Sequence, residues 1–331
     1  MQTIQARKLS ALALPWPVNW ADLFGAERPL ILEIGFGGGT FLQHLARQNP
    51  EANIIGLEIS NQSLLRAERA VVRERLPNIR VIHSRAETAL GHLFEPASLS
   101  EVHINFPDPW FKRGHHHRRL MQRDTLDALV SRMRPGARLY LATDIREYAE
   151  MSAELLEATP GLDNLLSASW AHEMPGRIVT KYEARARFVG RPCHYFAYRR
   201  NQQPAPLVPV IRDTAMPHAV FASPLSFDEM HAAYTPFKAA GGDIHVGFSE
   251  VYQGRSGLLF EIHVSEPTIE QHTALLLAPH GAVVGEYTLK MSTLGHPRPT
   301  EGMQVAVRAL SEWLIGLHPD ARLVQHQPDS E

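Results

Sequence analysis

The sequence is almost without cysteine: Cys193 stands alone among 331 residues. An intrachain disulfide is therefore impossible, and a thiolate metal cluster within the chain is excluded. Long hydrophobic runs are missing too. No stretch of 18 or more apolar residues occurs, which argues against a membrane-spanning helix. The opening MQTIQARKLSALALPWPVNW has two early basic residues and a short apolar patch, but no proper h-region or small-residue cleavage site, and Pro15 and Pro17 break it early. The expectation from these absences is a cytoplasmic protein. Net charge is small as well, −2 at neutral pH, but it is unevenly spread. Residues 1–200 hold 26 Lys and Arg against 21 Asp and Glu, whereas residues 201–331 hold 7 against 14. A basic first half suits a polyanionic partner; an ordinary solvated surface would show the same imbalance.

What the chain does contain is alternation. Short apolar runs at 29–33, 53–58, 79–83, 101–106 and 137–143 read as strands, with a last one at about 193–199. Between them, 40–48, 61–75, 119–133 and 145–158 carry helical spacing. Alternation of this kind predicts an α/β fold, a doubly wound, Rossmann-like parallel sheet over residues 1–200. NQQPAPLVP at 201–209 has the polar, proline-rich texture of a linker. Beyond it, strands at 219–222, 244–250, 257–264, 272–278 and 282–290 and helices at 226–240 and 300–317 predict a smaller α+β domain over 210–331. No motif assigns that domain a role, and its acidity argues against a second surface for a polyanion; self-association or a protein partner is compatible with it.

The first strand ends in Glu33-Ile34-Gly35-Phe36-Gly37-Gly38-Gly39 and opens a helix. Glycines there let the backbone turn sharply and a ligand approach it, with helix amides pointing at that ligand. The spacing is G-x-G-x-G rather than the dinucleotide pattern G-x-G-x-x-G, since position 40 is Thr. Glu58 ends the second strand, where an acid can accept hydrogen bonds from both ribose hydroxyls of a nucleoside; a helix cap or solvated strand end is the plainer role. Together these features fit class I methyltransferases, with S-adenosylmethionine across the ends of the first two strands and Glu33 near its amino group. Nicotinamide binding is the rival and fits less well.

After the fourth strand comes Asn105-Phe106-Pro107-Asp108-Pro109-Trp110, then Phe111-Lys112-Arg113-Gly114-His115-His116-His117-Arg118-Arg119. Prolines on both sides of Asp108 restrict its backbone and hold its carboxylate in a defined direction. The basic run that follows suits phosphates better than a metal, because adjacent histidines do not readily point at one ion. EIGFGGG, INFPDPWFKRGHHHRRL, LATD and Thr180-Lys181-Tyr182-Glu183, in this order over about residues 28–200, resemble bacterial tRNA (guanine-N7-)-methyltransferases of the TrmB type. The FPDPW-x-K-x-x-H-x-x-RR stretch is the specific part; the glycine turn is shared by many methyltransferases.

The resemblance implies methyl transfer from S-adenosylmethionine to N7 of the variable-loop guanine, position 46, of tRNA. It implies Glu33, Gly35, Gly37, Gly39, Glu58, Ala86 and Asp108 at the cofactor, Asp108 as the catalytic acid, and Lys112, Asp144, Thr180 and Glu183 at the substrate, with no metal. Lys112, Arg113, Arg118 and Arg119 would hold phosphates, as would Arg185, Arg187 and Arg191. One departure stands out: the family's Asp-Ala after the third strand is Arg85-Ala86 here, with Glu87 as a replacement acid. That departure keeps open a tRNA-binding protein with weak or lost catalysis. A class I methyltransferase acting on another substrate is the remaining alternative.

Overall fold

The computed structural model describes residues 8–326. The chain divides into two compact units, Met1–Ile211 and Arg212–Glu331. The first is built on eight strands: β1 (Leu9–Ser10), β2 (Leu30–Ile34), β3 (Asn53–Glu58), β4 (Ile79–His83), β5 (Leu99–Asn105), β6 (Met133–Thr143), β7 (Leu162–Asn164) and β8 (His194–Arg200). They lie in the order β1-β4-β3-β2-β5-β6-β8-β7. All pairs from β1 to β6 are parallel, and β8 and β7 add an antiparallel edge. The helices are α1 (Trp20–Phe24), α2 (Thr40–Gln48), α3 (Asn61–Glu74), α4 (Ala86–His92), α5 (Arg123–Arg132), α6 (Arg146–Glu157) and α7 (Lys181–Phe188). The strand order reverses between β2 and β5, so the carboxyl ends of these two strands flank the crevice where such sheets take their ligands.

Local sequence explains these elements. LILEI of β2 is buried at every position, as a central strand covered on both faces should be. Helix α2 turns Phe41, Leu42, Leu45 and Ala46 inward. Gly56 is required inside β3, because a Cβ there would lie 2.6 Å from the ring of Phe36, which packs beneath the glycine turn. The Pro135-Gly136 pair, which precedes the strand expected at 137–143, lies inside β6. Its register against β5 slips between Leu99 and Glu101 and Gly136 has φ +85°, so the pair forms an irregularity in one longer strand.

The stretch expected as a linker is tied to the first unit. Arg132, fully buried, donates from Nη1 to the Val208 carbonyl at 2.8 Å and from Nη2 to the Pro209 carbonyl at 3.0 Å. Its Nε donates to the Leu90 carbonyl, and the Ile211 amide donates to the Gly91 carbonyl.

The second unit is an antiparallel sheet of β9 (His218–Ala222), β10 (Phe237–Gly241), β11 (Ile244–Gly254), β12 (Gly257–Ser265), β13 (Glu270–Pro279), β14 (Glu286–Met291) and β15 (Arg322–His326), in the order β10-β11-β12-β13-β14-β9-β15. Alternate residues such as Phe248, Phe260, Ile262 and Leu277 form one core with Met303, Val307, Leu310 and Leu314 of α9 (Glu301–Gly316). The helix expected over 226–240 is shorter: α8 spans Phe227–Ala233, started by a capping box between Ser226 and Glu229. Pro236 disfavours helical backbone at Thr235, and the chain continues as β10 along the sheet edge. No described helix is long and apolar enough to cross a membrane.

Candidate active site

The sequence-derived residues gather at the carboxyl ends of the parallel strands. Glu33 lies in β2, Glu58 ends β3, Ala86 opens α4 after β4, Asp108 follows β5 and Asp144 follows β6. Gly35, Gly37 and Gly39 all have positive φ, at +73°, +52° and +76°, which only glycine adopts without strain. The amide of Gly37 donates to Glu58 Oε2 at 2.9 Å, while the amides of Ile59 and Ser60 donate to Oε1. Glu58 thus holds the glycine turn against the start of α3 and keeps lone pairs for a further donor.

Glu33 is 1% exposed, and a chain of polar groups runs from it. Asn105 Nδ2 donates to Glu33 Oε1 at 3.1 Å, and Arg177 Nη2 donates to Asn105 Oδ1 at 2.5 Å. The Arg177 guanidinium lies over the rings of Phe41 and Tyr195. Glu33 Oε2 is buried without a hydrogen-bond partner. Burial pushes this carboxyl up to about 8, against the pull of Asn105 and Arg177. Among the described residues no donor reaches this oxygen, so the protein's own groups leave it unsatisfied. Asn105 and Arg177 were not singled out from the sequence; Arg177 sits in a loop with no periodic signal.

Asp108 is exposed and, among the described residues, makes no hydrogen bond or ion pair. Its backbone is held from both sides. Phe106 and Trp110 both have positive φ, +53° and +43°, conformations that non-glycine residues hold only at a cost of about 1–3 kcal/mol each. Arg119, expected to hold phosphates, is instead only 5% exposed and already engaged. It donates from Nε to the Pro109 carbonyl at 2.7 Å and from Nη2 to Glu147 Oε1 at 2.7 Å, and lies over the Tyr148 ring. The motif's second arginine therefore clamps the Pro-Asp-Pro turn. Arg118 sits over the Trp110 ring, and Lys112 is exposed. The side chain of Arg113 lies outside the described residues. Among the described residues no three His, Cys, Asp or Glu side chains converge as metal ligands.

The substrate-side residues are engaged with their own fold. Asp144 Oδ2 accepts from Arg191 Nη1 at 2.9 Å. Thr180 caps α7 in a reciprocal box with Glu183, which is buried and paired with Arg187 at 2.5 Å. Between them Tyr182 reaches over the glycine turn: a Cβ at Gly37 would meet its ring at 3.7 Å. On the cofactor side, Arg85 pairs with Glu87 at 3.5 Å, so Glu87 answers the arginine beside it.

Comparison with known proteins gives the chain's relatives. Residues 27–195 match a family described as putative methyltransferase. A tRNA (guanine-N(7)-)-methyltransferase of Thermus thermophilus is 36% identical over 301 residues, covering 90% of this chain and 93% of that protein. One of Burkholderia ambifaria is 39% identical over 183 residues, covering 55% of this chain and 71% of that protein. Among solved structures, the 16S rRNA methyltransferase KamB covers 59% of this chain and 99% of its own, at 17% identity and a TM-score of 0.43.

Proposed function

The chain belongs to the putative methyltransferase family, and from that membership we propose that it transfers a methyl group from S-adenosylmethionine to N7 of a guanine in tRNA. The guanine we assign is the variable-loop one at position 46, and we assign the reaction to the cytoplasm. The observation that carries the site assignment is the Asp108 carboxylate, exposed and without a partner among the described residues, in a strained turn that follows the strand carrying Asn105 of the Glu33–Asn105–Arg177 chain.

The residues present fit the cofactor. The orphaned Glu33 Oε2 suits the ammonium of an amino-acid moiety, the remaining lone pairs of Glu58 suit ribose hydroxyls, and apart from the adjoining residues of the chain nothing lies within 4 Å of a Cβ built at Gly35 or Gly38. The backbone at Ala86 would meet the adenine. When bound, S-adenosylmethionine supplies an electrophilic methyl group.

The protein's own task follows from guanine chemistry. N7 carries an in-plane lone pair and no proton, so no general base has to expose it. What remains is alignment, and fixed geometry is where most of the acceleration arises. Asp108 accepts hydrogen bonds from the guanine and opposes the positive charge that develops on the methylated ring. Asp144, Thr180 and Glu183 border the same rim, and Lys112 meets a phosphate. Incubation of the chain with unmodified tRNA and S-adenosylmethionine, followed by mapping of the methylated nucleotide, tests this reading. Transfer at guanine 46 is expected; methylation elsewhere, or tRNA binding without transfer, refutes it.

A further inference from the structure

Helix α7 leaves the glycine turn at Tyr182 and ends in an unusual pair. Phe188 is 90% exposed and Val189 51%. Around them the surface is cationic: residues 180–192 carry Lys181, Arg185, Arg187 and Arg191 against the single acid Glu183. Arg187 and Arg191 are tied to Glu183 and Asp144, whereas Lys181 and Arg185 are exposed and have no acid within pairing distance among the described residues.

An open aromatic face within a cationic field suits a partner that offers phosphates and flat, stackable rings together. We propose that Phe188 stacks on an unpaired base of the tRNA that flanks the target guanine, making the end of α7 a second grip on the substrate. This rests on the proposed tRNA reading. Phe188 lies six positions after Tyr182, about 9 Å along the axis of α7. That distance reaches a neighbouring nucleotide and leaves the methylated base itself to Asp108.

The test uses the full chain carrying Phe188→Ala, Phe188→Leu or Phe188→Trp. Methyl transfer is followed with unmodified tRNA, and tRNA affinity is read separately by filter binding over a salt series. Phe188→Ala should lower kcat/KM for tRNA by roughly 10-fold, a figure within the range of one base–aromatic stack. Phe188→Leu should fall with it and Phe188→Trp should retain the wild-type value. The salt slope of binding should not change, because no charge is removed. Affinity for S-adenosylhomocysteine should also stay constant. An Ala variant with wild-type tRNA affinity and turnover overturns the assignment, as does a Leu variant that matches Phe. A shift in oligomeric state with tRNA affinity intact also overturns it, since the patch would then serve a second copy of the chain. If the wild-type chain transfers no methyl to tRNA, the proposed function fails; if it does and the Ala variant equals it, only the stacking assignment fails.

Discussion

Replacing Glu33 with Gln should reveal a proton that the cofactor displaces. The Glu33 carboxyl is 1% exposed, shares one oxygen with Asn105 and leaves the other unpartnered, and burial raises it to about 8 from an ordinary 4.5. At pH 7 a group of that affinity is roughly nine-tenths protonated, and keeping the proton where the unfolded chain's carboxyl is ionised costs about 3 kcal/mol of stability. The folded-state value lies above the unfolded one. The stabilising contribution is therefore complete below about pH 4.5 and is lost as pH climbs towards 8. An ammonium seated against Oε2 reverses the balance by favouring the carboxylate. Binding of S-adenosylhomocysteine, which carries the same amino-acid portion, should then release close to one proton at pH 7. Calorimetric titration in two buffers of different ionisation enthalpy measures that number directly. Glu33→Gln should remove the release, weaken binding, and flatten the loss of ligand-free stability between pH 5 and 8. A wild-type binding enthalpy that does not depend on buffer, or a Gln variant that releases the same proton, would refute the reasoning.

Asp108→Ala should reduce methyl transfer by at least about 100-fold while tRNA affinity stays within about twofold; retained turnover would misplace the active site. Lys112→Ala should weaken tRNA binding and reduce its slope against log salt by about 1, read by filter binding from 50 to 200 mM salt. Arg119→Lys should lower kcat by about 10-fold or more without changing that slope, because this guanidinium holds the Pro109 carbonyl and Glu147; a reduced slope would make it a phosphate ligand after all. Truncation after Gln203 should lower the melting temperature of the first unit below that of truncation after Ile211. Only the longer piece keeps the Val208 and Pro209 carbonyls that pair with buried Arg132, and losing them should cost about 3 kcal/mol.

The parallel sheet was legible because its strands are short apolar runs punctuated by glycine, proline or an acid. β3 and β4 begin and end where the pattern places them, and so does α2. The elements that escaped lack the signal that periodicity needs. Helix α4 is buried at six of its seven positions, all but Glu87, and so has almost no polar face to contrast with its apolar one. Helix α7 errs in the other direction, burying only Glu183 and Ala186 among charged neighbours. β10 follows a helical stretch closely enough to read as its continuation, although Pro236 marks the break. β15 is stabilised by pairing with β9, about a hundred residues away in sequence, and no local pattern reports such a partner.

At the site, the motif residues were readable by type but not always by task. Rigidity of the Pro-Asp-Pro turn could be inferred from proline alone. That two flanking residues carry left-handed backbone, and that Arg119 is buried to hold the turn, required the folded chain. A basic residue in a basic run reads as a phosphate ligand because charge is visible in sequence and burial is not. The same blindness hid Arg177, whose role depends on Phe41, Asn105 and Tyr195, three residues brought from distant segments. For a reaction whose nucleophile needs no deprotonation, such holding contacts matter as much as the groups that touch the guanine, since alignment is what the protein contributes. On the proposed reading the motif FPDPW through RR therefore joins two halves of one device, a carboxylate that is presented and the guanidinium that holds its turn.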